Sequence, residues 1–121
     1  MIEPMKKILV VDDDSLIAMA TAELIEEFGY SVLEANSADQ AMGILESEPT
    51  IDLMITDYSM PGRTGIDLAA AAAALRPSLP IILATGYAEL PPGTATTLPR
   101  VSKPFDETEL RAQIATLLDG A

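Results

Sequence analysis

Cysteine and histidine are both absent from the 121 residues. Without cysteine there is no disulfide, no thiolate metal site and no cysteine nucleophile. Without histidine the chain lacks the commonest general base and metal ligand, and it cannot carry phosphate on a histidine of its own. Basic residues are scarce: 7 lysines and arginines stand against 19 aspartates and glutamates, a net charge of −12. A chain this acidic repels nucleic-acid backbones, so no direct nucleic-acid binding is expected. The plain consequence of the charge is solubility. No apolar run approaches the roughly 20 residues of a membrane span, and Met1-Ile2-Glu3-Pro4 carries no signal-peptide pattern. A soluble cytoplasmic protein with no membrane association is expected.

An apolar fraction of 49% argues against disorder, and the length suits a single domain over residues 1–121. Short apolar runs alternate with helical patterns, the signature of βα units around a parallel sheet. Strands are predicted at Lys7–Val11, Ser31–Ala35, Leu53–Thr56, Ile81–Ala84 and Val101-Ser102. Between the first two, Asp14 or Ser15 caps a helix reaching Phe28, with Ile17, Ala20, Thr21, Leu24, Ile25 and Phe28 at helical spacing and Gly29 as its stop. Ser37-Ala38-Asp39-Gln40 is a capping-box pattern that opens a second helix burying Ala41, Met42 and Leu45. An alanine-rich helix over 65–76 turns Leu68, Ala72 and Leu75 inward, and Asp106 opens a last helix burying Leu110, Ile114, Leu117 and Leu118. The stretch Gly86–Pro99 holds Pro91, Pro92, Gly93 and Pro99, so its helix is expected to be short or irregular, at most a turn near Ala88–Leu90.

Polar groups stand where the apolar runs end. Asp12-Asp13-Asp14 follows the first run, Asp57 the third, Thr85 the fourth, and Lys103-Pro104 the fifth. In a parallel sheet they meet at the carboxyl edge, where open α/β sheets bind ligands. Two unit charges ~4 Å apart repel by about 4 kcal/mol at an effective dielectric near 20, so clustered carboxylates call for a cation. Oxygen ligands without histidine or cysteine favour Mg²⁺. An acid after a strand also serves as a helix cap, and Asp14 fits that role. Asp12, Asp13 and Asp57 together with Lys103 fit a metal-dependent phosphoryl site, with Lys103 pairing either Asp57 or an incoming phosphate.

These residues carry a resemblance. Ile8-Leu9-Val10-Val11-Asp12-Asp13, Asp57 with Met60-Pro61-Gly62 and Gly65, Ala84-Thr85-Gly86, and Lys103-Pro104-Phe105 occur in the order found in receiver domains of two-component response regulators. The chain resembles that family over nearly its whole length. The resemblance implies a flavodoxin-like α/β fold: a five-stranded parallel sheet in the order 2-1-3-4-5 with helices on both faces. It implies that Asp57 is the phosphoacceptor and that Asp12, Asp13 and Asp57, with the backbone carbonyl of Ser59, hold Mg²⁺, with Mn²⁺ as the substitute. Lys103 then pairs with the phosphate, its bond to Pro104 is usually cis in the family, and the Thr85 hydroxyl moves toward the phosphate. The implied donor is a phosphohistidine on a sensor histidine kinase or a histidine phosphotransfer protein. Such a domain catalyses only its own phosphorylation and dephosphorylation, and it acts as a monomer or weak homodimer.

Two positions depart from the family pattern. Arg100 stands three residues before the lysine, where receivers usually carry an aromatic switch. Thr85-Gly86-Tyr87 resembles an atypical receiver subset, and similar sequences occur as receivers of hybrid histidine kinases. Tyr87 is therefore expected to take over part of the switch role, with Gly86 leaving room for a ligand. Ala18, Met19 and Ala22 are expected to form an apolar strip on the first helix where a partner docks. One competing reading is a haloacid-dehalogenase-like phosphohydrolase with Asp12 as nucleophile and Asp14 as acid/base. Another is a receiver that binds partners without being phosphorylated.

Overall fold

A computed structural model describes residues 5–85, 98–103 and 105–119. Among them run β1 (Lys7–Val11), α1 (Ser15–Glu27), β2 (Ser31–Ala35), α2 (Ala38–Ser47), β3 (Ile51–Asp57), α3 (Gly65–Leu75), β4 (Ile81–Thr85), β5 (Arg100–Ser102) and α4 (Glu107–Asp119). The expected irregular helix after Thr85 and the turn at 88–90 lie outside the described residues. The strands form one five-stranded sheet in the order β2-β1-β3-β4-β5, and each neighbouring pair is parallel. This is the flavodoxin-like order expected above.

The sheet separates two buried cores, and strand alternation assigns residues to them. Ile8 and Val10 face Ala18, Ile25, Leu110 and Ile114 of α1 and α4. Leu9 and Val11 face Ala41, Leu45, Leu68 and Ala72 of α2 and α3. Strands covered on both faces must be apolar nearly throughout, which is why β1 is Lys-Ile-Leu-Val-Val and β4 is Ile-Ile-Leu-Ala-Thr. The pairing of β1 with β3 slips by one residue between Lys7 and Ile8. Side chains serve the backbone there: the Lys7 N–H donates to Asp52 Oδ2 at 2.8 Å, and Arg76 Nη2 donates to the Ile51 carbonyl at 2.6 Å.

The helices start where their caps are. Asp14 accepts from the Leu16 and Ile17 amides at 3.0 and 3.3 Å. Ser37 accepts from the Gln40 amide at 3.0 Å, while Gln40 Oε1 reaches back to the Asn36 amide at 2.5 Å. Thr64 and Asp67 form a reciprocal capping box on α3, and Asp106 accepts from the Glu109 amide at 3.1 Å. Gly29 ends the α1 turn with a φ of +101°, the left-handed region glycine enters without penalty.

Two helix faces differ from the sequence reading. On α1 the buried residues are Ala18, Thr21, Ala22 and Ile25, whereas Ile17 and Ala20 face outward. Apolar residues ring this helix, so periodicity did not choose the face. The small alanines lie against the sheet and let the helix approach closely. On α3, Leu75 is exposed. The inward row runs Leu68, Ala72 and then Arg76, one further turn on, whose guanidinium takes the inward place.

Candidate functional site

Strand order brings the ends of β1, β3, β4 and β5 to one edge. Asp12 extends β1 by one residue, with its N–H donating to the Ala35 carbonyl at 3.0 Å. Asp12 Oδ1 accepts from the Asp14 amide at 2.9 Å, and Asn36 Nδ2 donates to the Asp12 carbonyl at 3.1 Å. Asp57 ends β3 in register with Ala84, and the next amide, Tyr58 N–H, donates to the Ala84 carbonyl at 2.8 Å. Thr85 is buried at the end of β4, and its carbonyl accepts from the Lys103 N–H at 2.7 Å. This last bond carries the lysine into the site.

Lys103 closes the cluster. Its Nζ stands 2.5 Å from Asp12 Oδ2 and 3.1 Å from Asp57 Oδ1, with both carboxylates largely withdrawn from solvent. Asp13 is the exposed member. Oxygens of Asp12, Asp13 and Asp57 all lie within 4.8 Å of one another. Burial pushes the Asp57 carboxyl above its ordinary pKa; the Lys103 hydrogen bond and charge oppose this, and the Asp12 and Asp13 charges add to it. For Lys103, burial works to lower the pKa. Hydrogen bonds to Asp12 and Asp57, with their charges, outweigh it and leave the pKa raised, so the group stays an ammonium.

Three carboxylates against one ammonium leave an excess of negative charge in a half-buried site. All the clustered donors are oxygens, and their spacing lets a single ion reach each of them. That set fits a hard divalent cation such as Mg²⁺ better than a thiophilic or imidazole-preferring metal.

Residues 8–115 match the family described as the response regulator receiver domain. The chain belongs to that family. It is 33% identical over 121 residues to the response regulator receiver protein CpdR of Brucella abortus, covering 97% of this chain and 100% of CpdR. It is 35% identical to the transcriptional regulatory protein CpxR of Escherichia coli, spanning 94% of this chain but 50% of CpxR. Among solved structures, the response regulator protein TrrA of Thermotoga maritima, in complex with Mg(2+)-BeF, superposes with a TM-score of 0.86 at 32% identity, over 94% of this chain and 100% of TrrA. The family match displaces the haloacid-dehalogenase alternative.

The receiver fold thus gathers Asp12, Asp13, Asp57 and Lys103 and sets Thr85 on the adjoining strand end. Ser59 lies two residues beyond Asp57 and is exposed. Gly86, Tyr87 and Pro104 fall outside the described residues. Arg100 is not at the site: it begins β5, opposite Leu83, is exposed, and its carbonyl accepts from Gln113 Nε2 at 2.9 Å.

The apolar strip needs correction. Ala18 and Ala22 are buried in the core and Met19 alone of the three is exposed, because Ala18 and Ala22, not Ile17 and Ala20, face the sheet. The accessible apolar surface beside the site is instead a groove of about 560 Å³ between α1 and the start of α4. Leu16, Ile17, Ala20, Leu24 and Phe105 line it, together with Lys103 and Glu107. Lys103 therefore belongs to both groove and acid cluster. The apolar pair Leu16-Ile17 directly after the Asp14 cap was a signal for this groove. The Asn36 contact with Asp12 had no signal, since it spans two strands.

Proposed function

We propose that this receiver accepts a phosphoryl group on Asp57 from a phosphohistidine of a sensor histidine kinase or histidine phosphotransfer protein, and that the acyl phosphate switches a protein-interaction surface. The observation that carries this reading is Lys103 Nζ held between Asp12 and Asp57, with Asp13 beside them. An Asp57 oxygen attacks phosphorus, a P–O bond forms, the N–P bond breaks, and its electron pair returns to the donor imidazole. Lys103, raised in pKa and fixed by two carboxylates, offers positive charge to the transferring oxygens. Asp12, Asp13, Asp57 and the Ser59 carbonyl are the groups that would hold Mg²⁺, with Mn²⁺ as a substitute. When bound, the ion supplies charge neutralisation on the phosphoryl oxygens. The Thr85 hydroxyl then meets the phosphate, and water later cleaves the acyl phosphate. The domain catalyses only these steps on itself.

The groove beside Lys103 is where the phosphohistidine-bearing partner docks, since its lining includes Lys103, whose ammonium pairs with Asp57. Tyr87 takes part of the switch role, because the position where receivers usually carry an aromatic holds the exposed, non-aromatic Arg100. Among the described residues no helix is long and apolar enough to cross a membrane. The domain is a cytoplasmic monomer or weak homodimer acting through protein partners, and the charge of −12 supports the absence of contact to nucleic acid.

The decisive experiment is labelling by a small phosphodonor such as acetyl phosphate with Mg²⁺. Wild type should form an acid-stable, base-labile acyl phosphate, and Asp57→Asn should form none. Label that persists in Asp57→Asn sinks the assignment. A wild type that takes no label from either a small donor or a phosphohistidine protein would instead favour an interaction module that works unphosphorylated.

A further inference from the structure

Thr56 interrupts the apolar stretch Leu53-Met54-Ile55 immediately before Asp57, and it is fully buried, with 0% of its surface exposed. Its neighbours across the sheet are Val11 on β1 and Leu83 on β4. A hydroxyl among apolar side chains requires a partner. Thr56 Oγ1 finds one in the carbonyl of Asp57, to which it donates at 3.1 Å.

The same carbonyl is a point of close approach for α3. A Cβ on Gly65 would lie 2.3 Å from the Asp57 oxygen and 2.8 Å from Leu83 Cδ1, so only glycine lets the helix start there. The Gly65 N–H donates to the Tyr58 carbonyl at 2.7 Å, and the Tyr58 N–H to Ala84 at 2.8 Å. The peptide leaving Asp57 is thus held from its own strand, from β4 and from α3. Its orientation sets where the Asp57 side chain departs and where the chain toward Ser59 begins. A valine or isoleucine would fill the Thr56 position as well; what threonine adds is the bond to Asp57.

We infer that Thr56 is a positioning residue for phosphoryl transfer: its hydroxyl fixes the Asp57 peptide so that the carboxylate stays aligned with Lys103, Asp12 and Asp13. The inference rests on the reading of Asp57 as phosphoacceptor. Transfer chemistry is sensitive to misplacements well below 1 Å, so the loss of one buried orienting bond is felt as rate.

The test compares two pairs of full-length chains that differ by one hydroxyl: wild type with Thr56→Val, and Thr56→Ser with Thr56→Ala. The rate constant for acetyl phosphate labelling at saturating Mg²⁺ is read beside the melting temperature of each. The hydroxyl-less member of each pair is expected to label about three- to tenfold more slowly. Thr56→Ser, which loses a methyl group and some stability, is expected to stay within about twofold of wild type. Rates that follow the melting temperatures instead, with Thr56→Val equal to wild type or Thr56→Ser as slow as Thr56→Ala, would overturn the inference. If Thr56→Val fails to fold, the serine–alanine pair decides alone. Absence of label in wild type would overturn the phosphoacceptor reading, and the role of Thr56 with it.

Discussion

Asp57 is held at a cost to the fold. Its pKa is raised by burial, against the pull of Lys103 and with the push of Asp12 and Asp13. A carboxyl whose folded pKa lies above its unfolded value contributes stability fully below the unfolded pKa and loses it as pH rises through the folded one. At neutral pH the ionised group therefore destabilises the metal-free protein. Asp57→Asn, which cannot ionise, is expected to melt higher than wild type in EDTA at pH 7, with the difference shrinking toward pH 4. Thermal denaturation across that range checks both the sign and its pH dependence. Gly65 offers a second residue-scale test. Its would-be Cβ meets backbone at 2.3 Å, which no side-chain rotation relieves. Gly65→Ala is expected to destabilise by about 1–3 kcal/mol and, because the strain falls on the Asp57 peptide, to weaken Mg²⁺ binding. Urea denaturation and a calorimetric Mg²⁺ titration measure the two effects.

Among the elements, α1 has two separable jobs. Its small residues Ala18 and Ala22, with Ile25, seat the helix on the sheet. Leu16 and Ile17, outside that row, form the wall of the groove that meets Lys103. Leu16 is 71% exposed in the first turn of the helix, where a negative charge is tolerated or favoured by the helix dipole. Leu16→Glu should therefore fold normally. It is expected to slow phosphotransfer from the phosphohistidine partner about tenfold or more while leaving acetyl phosphate labelling within about twofold. Equal slowing with both donors would contradict docking in the groove. At this scale the helix was legible in its limits and illegible in its orientation. The Asp14 cap and Gly29 stop bracket α1 because capping is local chemistry. The buried face is set by which residues fit closest to the sheet, and a helix with apolar residues on nearly every side carries no periodic mark of it.

For the whole molecule, the proposed Mg²⁺ site would couple metal binding to stability. An ion bound by the folded site alone stabilises by about 2.7 kcal/mol at one hundred times its dissociation constant. Saturating Mg²⁺ is expected to raise the melting temperature by several degrees, and EDTA should reverse it. Asp13→Asn, which removes the exposed carboxylate, should shrink the rise without lowering the metal-free melting point. A shift of equal size in Asp13→Asn would place the ion elsewhere on this acidic chain.

The sequence alone determined the alternation of strands and helices, the caps of α1, α2 and α4 and the placement of Asp12, Asp57, Thr85 and Lys103 at strand ends. All of these depend on residues a few positions apart. Their ordered motifs were enough to point to the receiver family and to the 2-1-3-4-5 sheet. Only the tertiary structure decided that Lys103 bridges Asp12 and Asp57, partners 91 and 46 positions away along the chain. It also decided that Ala18 and Ala22 are core while Leu16 and Ile17 line a groove, that Arg100 stands away from the site, and that Thr56 and Gly65 converge on one carbonyl of Asp57. These are outcomes of packing between distant elements, where shape at close range, rather than residue type or spacing, selects the partner.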